Sequence, residues 1–277
     1  MPEYLHETEL NETSPALPCR RPVPWNGVDV ALIFLLWISL TIVCCRFAVS
    51  QVEMRAGQVN GRKPTPVHPL TQLIERGREQ PVVLVVAFFS GVMLAPLAEE
   101  FLFRLLLQGW VRKRAVFSLD DQRVGMLPGV VSIFVVSVIF AAIHGGQRTE
   151  QNIDTLFYSM IGLAVANLFT VGLGMTYLIW IVGADRSDLG VPPGGGISDV
   201  LTGIATFGLC GPAILALNIL LRYQFPEAAT DPIPLFFFSV VLGILFYRTG
   251  RLLPCVTMHA CLNGFSFVVL AFGKNIS

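Results

Sequence analysis

The sequence predicts an all-α fold, a polytopic transmembrane helical bundle of about seven or eight membrane segments. Three observations predict it. Of the 277 residues, 53% are hydrophobic and 14% charged, where a soluble domain carries roughly a quarter charged residues. The apolar residues gather in runs long enough to cross a bilayer rather than spreading evenly. No segment shows the polar–apolar alternation of a membrane barrel strand, and in lipid that leaves the helix to satisfy the backbone internally. Nineteen basic residues balance nineteen acidic ones, so nothing draws the chain as a whole to nucleic acid. Five of the six cysteines sit in or beside apolar runs, and no Cys-x-x-Cys pair exists. Neither a disulfide framework nor a thiolate zinc site is expected.

In chain order, residues 1–26 read as a disordered polar tail, acidic and proline-containing. No basic start with an apolar core follows Met1, so no cleavable signal is expected. Residues 27–277 form the membrane-embedded domain, with motif-bearing parts at 81–144 and 231–272 and a two-span segment at 147–225. The first span covers 28–45, and a polar stretch with six basic residues follows at 46–80. Residues 81–110 are apolar except for Glu99, Glu100, Arg104 and Gln108, and Pro96 interrupts them. That pattern predicts a hairpin or a sharply kinked helix. Further spans lie at 127–144, 153–183, 197–221, 233–247 and 252–272, with an irregular Pro/Gly loop at 183–196. If 81–110 is a re-entrant pair and the N-terminal tail lies outside, 13 basic residues fall inside and 5 outside. The positive-inside rule favours that topology.

Ionisable residues within membrane spans are costly and are functional candidates by default. Three groups stand out: Glu99-Glu100-x-x-x-Arg104, Phe140-x-x-x-His144 and His259-x-x-x-Asn263. Glu100 and Arg104 share a helical face and can pair. Glu99 is displaced from them, which suggests a structural Glu100–Arg104 pair and a Glu99 free to act on water. A buried ion pair that only fixes packing would account for Glu100 and Arg104, but it leaves Glu99 unexplained. Either histidine alone is more often a hydrogen-bonded packing residue; the coincidence of all three groups carries the argument. At about 1.5 Å per residue, Glu99 lies roughly 20 Å from Arg112 and His144 roughly 24 Å from Pro128. His259 and Asn263 lie about 12 and 18 Å from Arg251. The groups therefore overlap in depth. Two glutamates, two histidines and an asparagine suit a water-activating site in which imidazole and amide hold a metal or an oxyanion.

The ordered triple Glu-Glu-x-x-x-Arg, Phe-x-x-x-His and His-x-x-x-Asn on apolar helices resembles the CAAX-protease and bacteriocin-processing family of intramembrane proteases. This is the Abi family, which includes the Ras-converting CAAX endopeptidase. The run Phe103-Arg104-Leu105-Leu106-Leu107-Gln108 and the segment from Tyr247 to Leu252 are similar too. The resemblance implies a helical membrane endopeptidase whose site comprises Glu99, Glu100, Arg104, His144, His259 and Asn263. Glu99 with His144 would activate water. His259 and Asn263 would stabilise the oxyanion or, in a competing view, help bind zinc, which makes Glu99, His144 and His259 the metal candidates. The implied partners are a peptide or protein substrate, membrane-anchored in one version, and the lipid bilayer; nucleic acid is not among them. A bacterial cytoplasmic membrane is the expected location. The chain departs from the family at 147–225, where two spans intervene between the second and third motifs.

Other chemistries fit less well. There is no His-Glu-x-x-His, and Gly196-Ile197-Ser198-Asp199 reads as a turn rather than a serine nucleophile site. A transporter with buried Glu, Arg and His, or a catalytically inactive scaffold or immunity-type protein, stays open as an alternative.

Overall fold

The computed structural model describes residues 22–56, 80–118, 127–144, 153–225 and 232–272. They form seven long helices: α1 (Gly27–Ala56), α2 (81–118), α3 (Leu127–His144), α4 (Ile153–Trp180), α5 (Gly196–Gln224), α6 (Pro232–Thr249) and α7 (Leu252–Phe272). All seven are long and apolar enough to cross a membrane. The chain is an integral, multi-pass membrane protein, and large apolar side chains cover much of its outer surface.

Of the two readings of 81–110, a hairpin or a single kinked helix, α2 excludes the hairpin. It is one helix in which two wider π-helical stretches, Phe89–Leu94 and Glu100–Gln108, alternate with α-helical turns. Pro96 does not break it, because the preceding π stretch has already shifted the hydrogen bonding. The Ala95 N–H reaches back to the Ser90 carbonyl, so the missing N–H at Pro96 is absorbed within a continuous helix.

Side-chain register between helices fixes their directions. Asp29–Tyr177, Trp37–Asn167 and Cys45–Ser159 contacts run antiparallel between α1 and α4. Arg104–Ser239 and Gln108–Gly243 bonds run parallel between α2 and α6. Seven successive crossings produce both relations. A re-entrant α2 would not. The expected topology is corrected at a second point, because Lys113 Nζ donates to the carbonyls of Val23 and Trp25, each at 2.9 Å. The N-terminal segment therefore lies on the same face as the basic end of α2. With seven crossings the basic ends of α1, at Arg46, and of α2, at Arg112, Lys113 and Arg114, fall on opposite faces, so the expected 13-to-5 division does not hold.

Two further boundaries move. Residues 1–21 of the expected disordered tail lie outside the described residues, but 22–26 are packed. Trp25 is fully buried and donates from Nε1 to the Leu106 carbonyl at 3.2 Å. The first helix also runs on to Ala56, past the end of its apolar run.

The centre of α2 is the core of the bundle: Phe101, Leu102, Leu105 and Leu106 have no exposed surface. α3, α6 and α7 pack around it, and α1 and α5 stand outermost. Small residues allow the closest approaches. A Cβ on Gly162 would come 2.8 Å from the Cys44 carbonyl oxygen, and one on Gly203 would come 2.6 Å from that of Pro254. At the loop before α5, Gly190 accepts from the Leu252 N–H at 2.8 Å, and Arg251 pairs with Asp199 at 3.0 Å. Gly196-Ile197-Ser198-Asp199 is the first turn of α5 rather than a turn in the loop, and Ser198 Oγ donates to the Gly195 carbonyl there.

Candidate active site

The ionisable groups meet where α2 changes from its middle α-helical turn, Ala95–Glu99, into its second π stretch. Glu100 opens that stretch and Arg104 follows one turn on. Both are fully buried, with Nε 3.2 Å from Oε2. Arg104 Nη2 donates to Ser239 Oγ at 2.7 Å, and the guanidinium stands 5.5 Å from the centre of the Phe140 ring. The pair expected from the spacing is present. Its third member is new: His259 Nδ1 lies 2.9 Å from Glu100 Oε1. One glutamate thus ties α2 to itself through Arg104 and to α7 through His259.

Glu99 faces the other way around the helix, toward both imidazoles. Its Oε2 lies 3.5 Å from His144 Nε2 and 3.7 Å from His259 Nε2. These separations exceed those of formed hydrogen bonds, so the three groups converge without closing on one another. Their tautomers follow from the opposite ring nitrogens. His144 Nδ1 lies 2.8 Å from the Phe140 carbonyl, which can only accept, so Nδ1 carries the hydrogen. His259 Nδ1 faces the Glu100 carboxylate, an acceptor in its ion pair with Arg104, and carries a hydrogen for the same reason. In its neutral form each ring then turns an Nε2 lone pair toward Glu99. Three acceptors around one point suit a species that brings its own hydrogens, and water is the simplest.

The walls are aromatic. The Phe140 ring lies 4.4 Å from that of His144 and 6.1 Å from that of His259, and Phe238 lies 5.0 Å from His259. Access is one-sided: the Glu99 and His144 side chains are 20% and 24% exposed, against 6% for His259 and none for Glu100. Glu99 and His144 stand at the open side, and His259 at the back.

The structure thus brings Glu99, Glu100, Arg104, His144 and His259 into one network. Asn263 sits one turn beyond His259 on α7, and its Nδ2 donates to the Gly91 carbonyl of α2 at 2.9 Å rather than to the Glu–His cluster. Sequence reasoning missed Ser239, Phe238 and the Gly91 carbonyl. Ser239 had a signal, as the one hydroxyl in the apolar run 233–246. A backbone carbonyl has none.

Two imidazole nitrogens and a carboxylate are a donor set that zinc accepts, and Glu100 and the Phe140 carbonyl stand where outer partners of ligating histidines stand. Their arrangement does not complete a site: among the described residues, no group of three His, Cys, Asp or Glu side chains could hold a metal ion.

A membrane bundle with a buried, one-sided Glu–His centre belongs to the class of integral membrane proteins equipped for chemistry inside the bilayer. The chain belongs to the Rce1-like family, described as type II CAAX prenyl endopeptidase Rce1-like, whose model matches residues 81–184 and 186–265. This is a family of peptidases, enzymes whose substrates are proteins. The match takes in α4 and α5 as well as the motif-bearing helices, so the two spans between His144 and His259 lie within it. No curated protein and no solved structure matches the chain.

Proposed function

We propose that the protein is an intramembrane endopeptidase in which Glu99 and His144 activate a water for attack on a peptide carbonyl. The observation that carries this reading is the convergence of the His144 and His259 Nε2 atoms on Glu99 Oε2, with both Nδ1 atoms committed elsewhere. Water bound among these acceptors gives a proton to Glu99 as its oxygen bonds to the carbonyl carbon. The negative charge passes to the carbonyl oxygen. Asn263, with its second N–H, is the donor assigned to that charge, and His259 Nε2 accepts from the attacking water. When the C–N bond breaks, the proton held by Glu99 passes to the leaving amine, with His144 beside it as the relay. Glu100 and Arg104 position His259 and do not touch the substrate. Because the site is framed by membrane helices, a substrate with a lipid anchor or a membrane segment brings its scissile bond there most directly.

The test is cleavage of a membrane-anchored reporter by the purified protein in proteoliposomes. Glu99→Gln is near-isosteric and should fold, yet lose roughly 10²–10⁴-fold in kcat/KM. Full activity in that variant would refute the role of Glu99. A chelator arm separates the two subtypes: activity that persists supports water activation by Glu99 and His144 alone, and activity lost and then restored by zinc would make the enzyme metal-dependent.

A further inference from the structure

The second N–H of Asn263 can serve chemistry only if the amide is held in one orientation, and the way it is held traces to a proline on another helix. In a regular α-helix the Gly91 carbonyl would accept from the N–H of residue 95, and in a π-helix from that of residue 96. Here both donors are missing. The Ala95 N–H goes to the Ser90 carbonyl, and residue 96 is Pro96, with no N–H. The Gly91 carbonyl is thereby left without a helical partner within a membrane span, where an unsatisfied backbone group is costly. Asn263 Nδ2 fills the vacancy at 2.9 Å. A carbonyl only accepts, so it must face the NH₂ end of the amide, which fixes which way Asn263 is turned.

We propose that Pro96 is a positioning residue: by orphaning the Gly91 carbonyl it creates an acceptor that orients Asn263 for its part in catalysis. Pro96 then acts through Asn263 and not by contact with substrate. This rests on the proposed function for the meaning of the orientation, but not for the hydrogen-bond relation itself. In the same way, the π stretch Phe89–Leu94 gains a purpose, since it is what lets a proline sit in a continuous helix with one carbonyl turned out to a neighbour.

A double-mutant cycle tests it with two independent readouts. Pro96→Ala restores an N–H that can compete for the Gly91 carbonyl. Asn263→Leu removes the donor while keeping similar volume. In the wild-type background Asn263→Leu strands the carbonyl and should lower the melting temperature by roughly 2–6 °C. In the Pro96→Ala background the carbonyl has a new partner, so the same substitution should cost clearly less. For activity, Pro96→Ala should lower kcat about tenfold with KM little changed, and the double variant should be no slower than Asn263→Leu alone. Equal melting losses in both backgrounds, or rate losses that multiply, would overturn the proposal. If no variant or wild type cleaves the reporter, the proposed function fails while the melting cycle still decides the positioning relation. If Pro96→Ala does not fold, Asn263→Leu alone decides it: a lower melting temperature despite the apolar gain supports the bond, and an unchanged or higher one refutes it.

Discussion

Two helix contacts in this molecule use polar groups inside the membrane in opposite ways. Between α1 and α4, Trp37 Nε1 donates to Asn167 Oδ1 at 3.1 Å, and the Tyr177 hydroxyl donates to Asp29 Oδ1 at 2.7 Å. Both of these donors have their acceptors and nothing converges on a third point, although Thr41 Oγ1, between Trp37 and Cys45 on the same helix, is buried without a partner among the described residues. Around α2 the polar groups are more numerous and less satisfied. Glu99 and two imidazole nitrogens face one another at 3.5 and 3.7 Å without closing, and Arg104 Nη1 and Ser137 Oγ are buried with no partner among the described residues. The α1–α4 contact leaves one hydroxyl unpaired, whereas the cluster at α2 sets three ionisable groups against one another. Leaving acceptors facing one another is costly in a membrane, and such local violations are expected at functional sites.

The largest expected effects lie at the open cluster. Alanine at His144 or His259 should lower kcat/KM by about 10²–10⁴-fold with reporter binding retained. Loss confined to His259, with His144→Ala fully active, would mean that the exposed histidine plays no part in proton transfer. Next comes Glu100→Gln, which leaves Arg104 without its counter-charge and weakens the hold on His259. A destabilisation of about 3–5 kcal/mol is expected from breaking a buried pair, with activity falling as well. Glu99→Gln should melt close to wild type. Equal melting temperatures and equal activities for the two glutamine variants would remove the distinction between a chemical and a positioning glutamate.

The α1–α4 contact should respond differently. Asn167→Ala is expected to cost about 1 kcal/mol of stability and leave kcat unchanged. A large loss of activity there would show that the two regions are coupled and that the contrast between them is false. Sidedness gives the smallest perturbation. In a background without native cysteines, single cysteines at Thr149 and Ala228 should both react with an impermeant thiol reagent from one face, and one at Gly194 from the other. Labelling of Thr149 and Ala228 from opposite faces would contradict the seven crossings.

Much of this was legible in the residues. Long apolar runs gave the spans, and the spacing of four gave the Glu100–Arg104 pair, because helix periodicity acts locally. The depth estimate for Glu99 and His144 survived the correction of topology, since both are measured from the face that carries Arg112. The sequence left α2 between a hairpin and a single kinked helix, because Pro96 and a cluster of polar residues look like a chain break and the π stretch that absorbs the proline leaves no mark in composition. The anchoring of residues 22–26 was hidden for a related reason. It depends on Lys113 gathering backbone carbonyls and on Trp25 filling a space in the core, contacts that span about eighty to ninety positions. The second partner of Glu100 is likewise non-local: nothing near His259 in the sequence points to residue 100.

The central claim is that a water held by Glu99 and the two histidines, rather than a side chain, attacks the peptide carbonyl. A single-turnover cleavage in ¹⁸O-enriched water tests it most directly. The expected result is one ¹⁸O in the new C-terminal carboxylate of the first-turnover product and none in Glu99. An unlabelled first-turnover product with ¹⁸O in the Glu99 carboxylate would show that Glu99 had bonded to the substrate itself, and would contradict the account.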